Sequence, residues 1–325
     1  MNVLLLSAQD IEHALPMTAA IDVNAQAYVA LSQEKAVVPQ RVSIQTPAGI
    51  ALFMPAYVPG ARSLALKVVS VFPDNPQRNL PTIHALVMVL DPETGAPVAL
   101  LDGARLTALR TGAGAGAATR VLARPDSHVM ALFGAGGQAP DQVEAVLAVR
   151  PIEEVRIYTR SGTSAERLAD HLSRRHPRVL FRPVSTPRDA VQGADIISCA
   201  TTSTTPVFDP EDVAPGTHIN GIGSFTPQMR EVQVVGLPRL RVFVDSLSAA
   251  QEEAGDLIQA VKEGHLRWED VVEIGQVLAG EAQGRTSRDE ITFFKSVGVA
   301  VQDAATAAAV LEQARQQGLG REVVI

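Results

Sequence analysis

The chain has 325 residues, 46% hydrophobic and 19% charged, with a formal net charge of −7; such proportions suit a folded protein with core enough for two domains and exclude disorder. Its acidic balance and scattered Lys and Arg residues leave no footprint for DNA or RNA, and no apolar run approaches the length that spans a bilayer. The run Val3–Leu6 is short and lacks the basic flank of a signal peptide, so a cytoplasmic protein is expected.

Met1–Leu15 reads as a short strand and then a helix opened by Ser7, with Asp10 in the capping-box position. A second helix is predicted over Met17–Gln33. Short β-rich runs follow at Arg41–Thr46, Gly49–Ala56, Ser63–Val71, His84–Leu90 and Pro97–Leu101, separated by turn residues, and predict an antiparallel or mixed sheet. Leu106–Leu122 reads as a helix despite Gly112, Gly114 and Gly116, each of which costs roughly 1 kcal/mol against alanine. Either close helix packing or a ligand or second domain against this backbone accounts for the missing side chains.

From His128 the pattern alternates. Strands are predicted at Val129–Phe133, Glu154–Tyr158, Val179–Phe181 and Ala194–Cys199, with helices from Pro140, around Ala165–Ser173 and near Arg188–Gln192. Strand–helix alternation makes a parallel, doubly wound sheet. Thr217–Ile222 and Arg241–Val244 are further strands, helices follow from Ala249, and a last helix covers Val297–Gln316. The single cysteine, Cys199, lies in an apolar run and reads as a buried structural thiol. The seven histidines show no metal-ligand spacing, C-x-x-C is absent, and there is no G-x-S-x-G elbow. No metal is expected.

Gly134-Ala135-Gly136-Gly137-Gln138-Ala139 fits the G-x-G-x-x-G/A fingerprint between a strand and a helix. Gly134 permits the tight turn, Gly136 lets the backbone approach a pyrophosphate, and Ala139 lets the helix pack closely. The helix N-terminus then offers free amides to the phosphates, with Pro140 in its first turn. An NAD-selective site usually ends the next strand with an acid, but here that strand continues Thr159-Arg160-Ser161. A guanidinium between two hydroxyls suits a 2′-phosphate. NADP(H) is therefore favoured over NAD(H).

Three cations stand out: Arg41 at the start of a strand, Lys67 in the apolar run Leu64–Val69, and Arg110 in the following helix. A lone strand lysine is most often solvent-facing, and spacing alone does not bring the three together. A small anionic substrate would want such a set.

At this point the sequence resembles the ornithine cyclodeaminase and mu-crystallin family. The resemblance rests on Lys67-Val68-Val69-Ser70-Val71-Phe72-Pro73-Asp74-Asn75, on Leu101-Asp102-Gly103 with Leu106-Thr107-Ala108-Leu109-Arg110-Thr111, on the Gly134–Ala139 loop, on Asn220-Gly221-Ile222-Gly223-Ser224, and on Phe294-Lys295-Ser296-Val297-Gly298. It implies that Arg41, Lys67 and Arg110 grip a substrate carboxylate, that Thr82 lies near nicotinamide and substrate, and that Thr201, Ser224 and Ser296 join the cofactor contacts. It also implies an α/β fold of two domains: a Rossmann-type doubly wound domain at 119–298, and a smaller β-rich α+β domain for substrate binding and dimerisation, made of 1–118 with 299–325. A homodimer is expected.

One departure carries weight. Ornithine cyclodeaminases of the family hold an aspartate at the position of Ser224, and a serine is not ionised at neutral pH. The ketimine reductases of the family are similar to this chain in carrying serine there and in lacking an acid at Thr159. The expected function is NADPH-dependent reduction of cyclic ketimine carboxylates, with Lys67, Arg110 and Ser224 as catalytic residues and Ser224 hydrogen-bonded to the ring nitrogen or a water. The alternatives are an NAD+-dependent ornithine cyclodeaminase, an amino-acid dehydrogenase, and an NADPH-binding protein without turnover.

Overall fold

The computed structural model describes residues 2–325, which divide into two units, 2–110 with 299–325 and 111–298. The boundary falls inside a helix, at Arg110/Thr111, where the sequence reading placed it at 118/119.

The chain opens with β1 (Asn2–Leu6), α1 (Ala8–Ala14) and α2 (Met17–Ser32). Ser7 caps α1 in a reciprocal capping box: Ser7 Oγ accepts from the Asp10 amide at 3.3 Å, and the Ser7 amide donates to Asp10 Oδ2 at 2.8 Å. Then come β2 (Val42–Thr46), β3 (Gly49–Val58), β4 (Ser63–Val71), β5 (Ile83–Leu90), β6 (Pro97–Asp102) and α3 (Gly103–Leu122). The second unit continues with β7 (Val129–Phe133), α4 (Ala139–Val149), β8 (Glu154–Tyr158), α5 (Thr163–Arg175), β9 (Leu180–Pro183), α6 (Pro187–Val191), β10 (Ile196–Cys199), β11 (His218–Gly221) and β12 (Leu240–Val244). It ends with α7 (Leu247–Glu253), α8 (Gly255–Lys262), β13 (Val271–Glu273), α9 (Ile274–Leu278) and β14 (Ile291–Lys295). Finally α10 (Ala300–Gln317) and β15 (Arg321–Val324) return to the first unit. Strands β13, β14 and β15 were not anticipated from the sequence.

In the first unit the sheet order is β15-β1-β6-β5-β4-β3-β2. The sheet is mixed: β1 and β6 run parallel and the other pairs antiparallel. Helix α10 packs on β3 and β4 and against α2. Its residues from Ala304 to Ala307 are buried, and the Ser63 hydroxyl donates to the Ala304 carbonyl at 2.7 Å.

The second unit carries an eight-stranded, all-parallel sheet in the order β13-β12-β14-β11-β10-β7-β8-β9. Apolar clusters cover its two faces, one around Phe133, Ile197, Cys199 and Phe293, the other around Met130, Leu132, Val143 and Val155, which is why its strands read as near-continuous apolar runs. The chain passes from β7 outward to β8 and β9 and then crosses back to β10 on the other side of β7. That reversal is the switch point at which doubly wound sheets open a crevice beyond their strand ends. Gly112 answers the question raised by the glycines of α3: a Cβ there would stand 2.5 Å from the Asp141 carbonyl oxygen at the start of α4, so helix packing demands its absence.

Candidate active site

Beyond the carboxyl ends of β7, β8 and β10 lies a cleft of about 470 Å³ lined by Gly134, Ala135, Gly136, Thr159, Arg160, Ser161 and Thr201, among others. Gly134 adopts φ 98°, a left-handed region that favours glycine, and a Cβ there would collide with the Ala200 carbonyl. At Gly136 and Gly137 an added Cβ would meet no protein atom. Nothing in the protein's own packing requires those two glycines, so the space beside them fits a ligand approaching the backbone. Ala139 is fully buried as the first residue of α4, and Pro140 occupies the first turn.

The wall of the cleft after β8 carries no carboxylate among its lining residues. Arg160 and Ser161 are exposed, and Ser164 Oγ donates to Thr159 Oγ1 at 3.0 Å. Arg160 forms no ion pair among the described residues.

In the first unit the structure brings together Lys67 and Arg110, which sequence spacing could not. Lys67 is 2% exposed; it lies in phase with buried Ser63 and Ala65 on the face of β4 that α10 covers. This corrects the default of a solvent-facing strand lysine. Its ammonium forms an ion pair with Asp303 Oδ2 at 2.7 Å. Arg110, also buried, donates from Nε to Asp303 Oδ1 at 3.0 Å and from Nη1 to Gln302 Oε1 at 3.1 Å. Gln302 is held in turn, donating from Nε2 to Asn24 Oδ1 at 3.2 Å and to the Arg110 carbonyl at 3.1 Å.

Two cations share one buried carboxylate, which leaves a surplus of positive charge. Burial, then the charge of Arg110 and, least, that of half-buried Arg41, bring the Lys67 ammonium down to about 7 against the upward pull of Asp303. Arg110 and Arg41 are thus both close enough for their charges to act on Lys67. Thr82, half-buried, precedes β5, and its carbonyl accepts from the Phe72 amide at 2.8 Å.

Asp303 and Gln302 were missed in the sequence. The available signal was a Gln-Asp pair within the small and apolar stretch Val299–Ala309, a poor place for a carboxylate unless a cation waits inside.

The two serines of the expected site are both held by buried carboxylates. Ser224 is fully buried and its hydroxyl donates to Asp256, while Ser296 donates to Asp245 Oδ2 at 2.8 Å. Each hydroxyl's proton is thus engaged inside the second unit, which leaves its oxygen lone pairs as the part able to accept from a ligand. Thr201 does line the cleft, its own hydroxyl donating to Glu231 Oε1 at 2.8 Å.

The sequence profile of the ornithine cyclodeaminase/mu-crystallin family matches residues 1–318. The chain belongs to this family. It is 38% identical to a Delta(1)-pyrroline-2-carboxylate reductase of Bacillus cereus over 324 residues, 98% of this chain and 99% of that protein. Among solved structures, the Delta(1)-pyrroline-2-carboxylate reductase of Thermococcus litoralis in complex with NADH and L-proline superposes with a TM-score of 0.94 at 38% identity, covering 99% of this chain and all of that one. An archaeal alanine dehydrogenase dimer with bound NAD superposes at 0.93 with 35% identity, both chains fully covered.

Proposed function

We propose that this family member is an NAD(P)H-dependent reductase of cyclic ketimine carboxylates, turning 1-pyrroline-2-carboxylate into proline and 1-piperideine-2-carboxylate into pipecolate, with NADPH preferred. The observation that carries the reading is the buried cluster of Lys67 and Arg110 on the single carboxylate of Asp303, a surplus of charge suited to one substrate carboxylate. Close likeness to pyrroline-2-carboxylate reductases supports the same substrate class.

When bound, the nicotinamide supplies the hydride. The Gly134–Ala139 loop and the amides of α4 hold its pyrophosphate, and Arg160, with Thr159 and Ser161, meets the 2′-phosphate. Lys67 and Arg110, assisted by Arg41, fix the substrate carboxylate and so the ring face exposed to attack. Arg110 Nη2, unused by Asp303 and Gln302, is free to donate to it. A protonated imine needs orientation and exclusion of water more than acid–base help. Lys67, titrating near neutrality, is the group of this cluster whose Nζ exchanges a proton in the working range.

Ser224 weighs against a cyclodeaminase. That chemistry needs a group that holds a linear amine and relays protons, and here a neutral hydroxyl is engaged with Asp256. We further infer a cytoplasmic homodimer formed through the first unit. Exposed Val42 and Ile44 on β2 with Ile83 and Leu86 on β5 support the contact, and among the described residues no helix is long and apolar enough to cross a membrane.

The test is a spectrophotometric panel with NADPH and NADH against five- and six-membered cyclic imine carboxylates, beside ammonia release from L-ornithine and pyruvate amination. NADPH oxidation that depends on cyclic imine is the expected result. Stoichiometric ammonia from ornithine without imine reduction would replace the reading with the lyase.

A further inference from the structure

The loops that follow β10 and β11 meet at one carboxylate. Glu231, in irregular backbone, is fully buried. Its Oε1 accepts from the Thr201 amide at 2.6 Å and the Thr201 hydroxyl at 2.8 Å; its Oε2 accepts from the amides of Gly223 at 2.6 Å and Ser224 at 3.0 Å. Thr201 lies just beyond β10, and Gly223 just beyond β11. The two loops pass so closely that a Cβ on Gly223 would collide with the Thr201 backbone, as one on Gly134 would with the Ala200 carbonyl. One side chain thus spaces the loops, and Thr201 is part of the cleft wall.

Further charges stand behind it. Asp256, in α8, is fully buried; its Oδ1 accepts from the amides of Glu231 at 2.7 Å and Val232 at 2.8 Å, and its Oδ2 from the Ser224 hydroxyl. Lys295, at the end of β14, is buried as completely and donates to the carbonyls of Gly221 at 2.9 Å, Ser224 at 2.6 Å and Ser296 at 3.1 Å, with Asp256 3.6 Å away. Stability alone does not call for such a cluster, because apolar side chains of similar volume are often as good or better. A saturated ionic network does pin backbone amides rigidly, which suits strand ends that face a ligand.

We propose that Glu231 is a positioning residue for hydride transfer, holding the loops after β10 and β11, through Thr201, at the spacing that the dinucleotide requires. The proposal rests on the reading of this protein as a dinucleotide-dependent imine reductase. Glu231→Gln is the informative variant: whichever way its amide turns, the nitrogen faces two donors, and one loop loses its acceptor. Full-length protein is titrated with NADPH by fluorescence and assayed with 1-pyrroline-2-carboxylate. Misplacement by about 1 Å costs on the order of a hundredfold in rate, so kcat should fall at least about tenfold while the imine KM stays near wild type. NADPH affinity should fall with it, and the primary isotope effect with 4-deuterated NADPH should rise. Glu231→Asp, which keeps the charge, should restore part of the loss.

Thr201→Val removes one of the four donors and serves if the Gln variant does not fold; its NADPH affinity, measured well below its melting temperature, should drop severalfold. Wild-type NADPH affinity and kcat in folded Glu231→Gln overturn the proposal, as they do in Thr201→Val. So does a lower melting temperature with normal kcat per active site. Should the wild type bind NADPH yet reduce no imine, the functional reading falls, while the NADPH affinities still decide the role of Glu231.

Discussion

Asp303→Asn removes the carboxylate that Lys67 and Arg110 share while preserving shape. In the wild type the Lys67 ammonium titrates at about 7, so it is present below that pH and lost above it; at pH 8 roughly one molecule in ten keeps the charge. A contact to a charged partner is worth about 1.5–3 kcal/mol, so its loss makes the proton at least about tenfold easier to remove. At pH 8 the variant should therefore bind a substrate carboxylate at least about tenfold more weakly, and the defect should narrow toward pH 5.5, where Lys67 regains its proton. Calorimetric titration with pyrrole-2-carboxylate, whose ring nitrogen does not titrate in this range, measures the effect in the presence of saturating NADPH. Stability carries the same signature: a lysine whose folded value lies below its ordinary 10.5 favours the folded state increasingly as pH rises from about 7, because the unfolded chain binds the extra proton. Thermal unfolding should show that gain in wild type and lose it in Lys67→Met. An affinity defect of equal size at every pH, or none, would refute the charge argument.

Arg160→Ala should raise the KM for NADPH by about ten- to a hundredfold, as for a lost charge-assisted phosphate contact, and leave that for NADH nearly unchanged; equal effects would remove the 2′-phosphate assignment. Lys67→Met and Arg110→Met should each impair imine turnover strongly and keep NADPH affinity by fluorescence titration; a collapse of dinucleotide binding would move these residues out of the substrate site. Ser224→Ala leaves Asp256 without one donor, so it should lower stability by about 1–3 kcal/mol in denaturant melts while imine reduction per folded molecule survives. Loss of turnover at unchanged stability would return Ser224 to direct catalysis. Wild-type protein should release little or no ammonia from ornithine, and a coupled ammonia assay checks this.

Much of the fold was legible because its signals are local. The Ser7–Asp10 capping box, the alternation from Val129 onward and the Gly134 turn each lie within a few residues of what they specify. Identities were also legible: Arg41, Lys67 and Arg110 stood out as cations in apolar or strand-forming surroundings. Their grouping was not. Both faces of β4 read as apolar, so only the packing of α10 over Ser63 and Ala65 decides that Lys67 turns inward. Its partner Asp303 comes from the far end of the chain, and no periodicity couples the two. Ser224 shows the same limit from the other side: the sequence states that a hydroxyl is present, but Asp256 and Glu231, brought in by distant segments, decide what that hydroxyl and its loop do. A side chain's type and local backbone preference belong to short stretches of sequence. Its charge state and its free hydrogen bonds depend on which distant groups fold against it, and these are settled only when the chain packs.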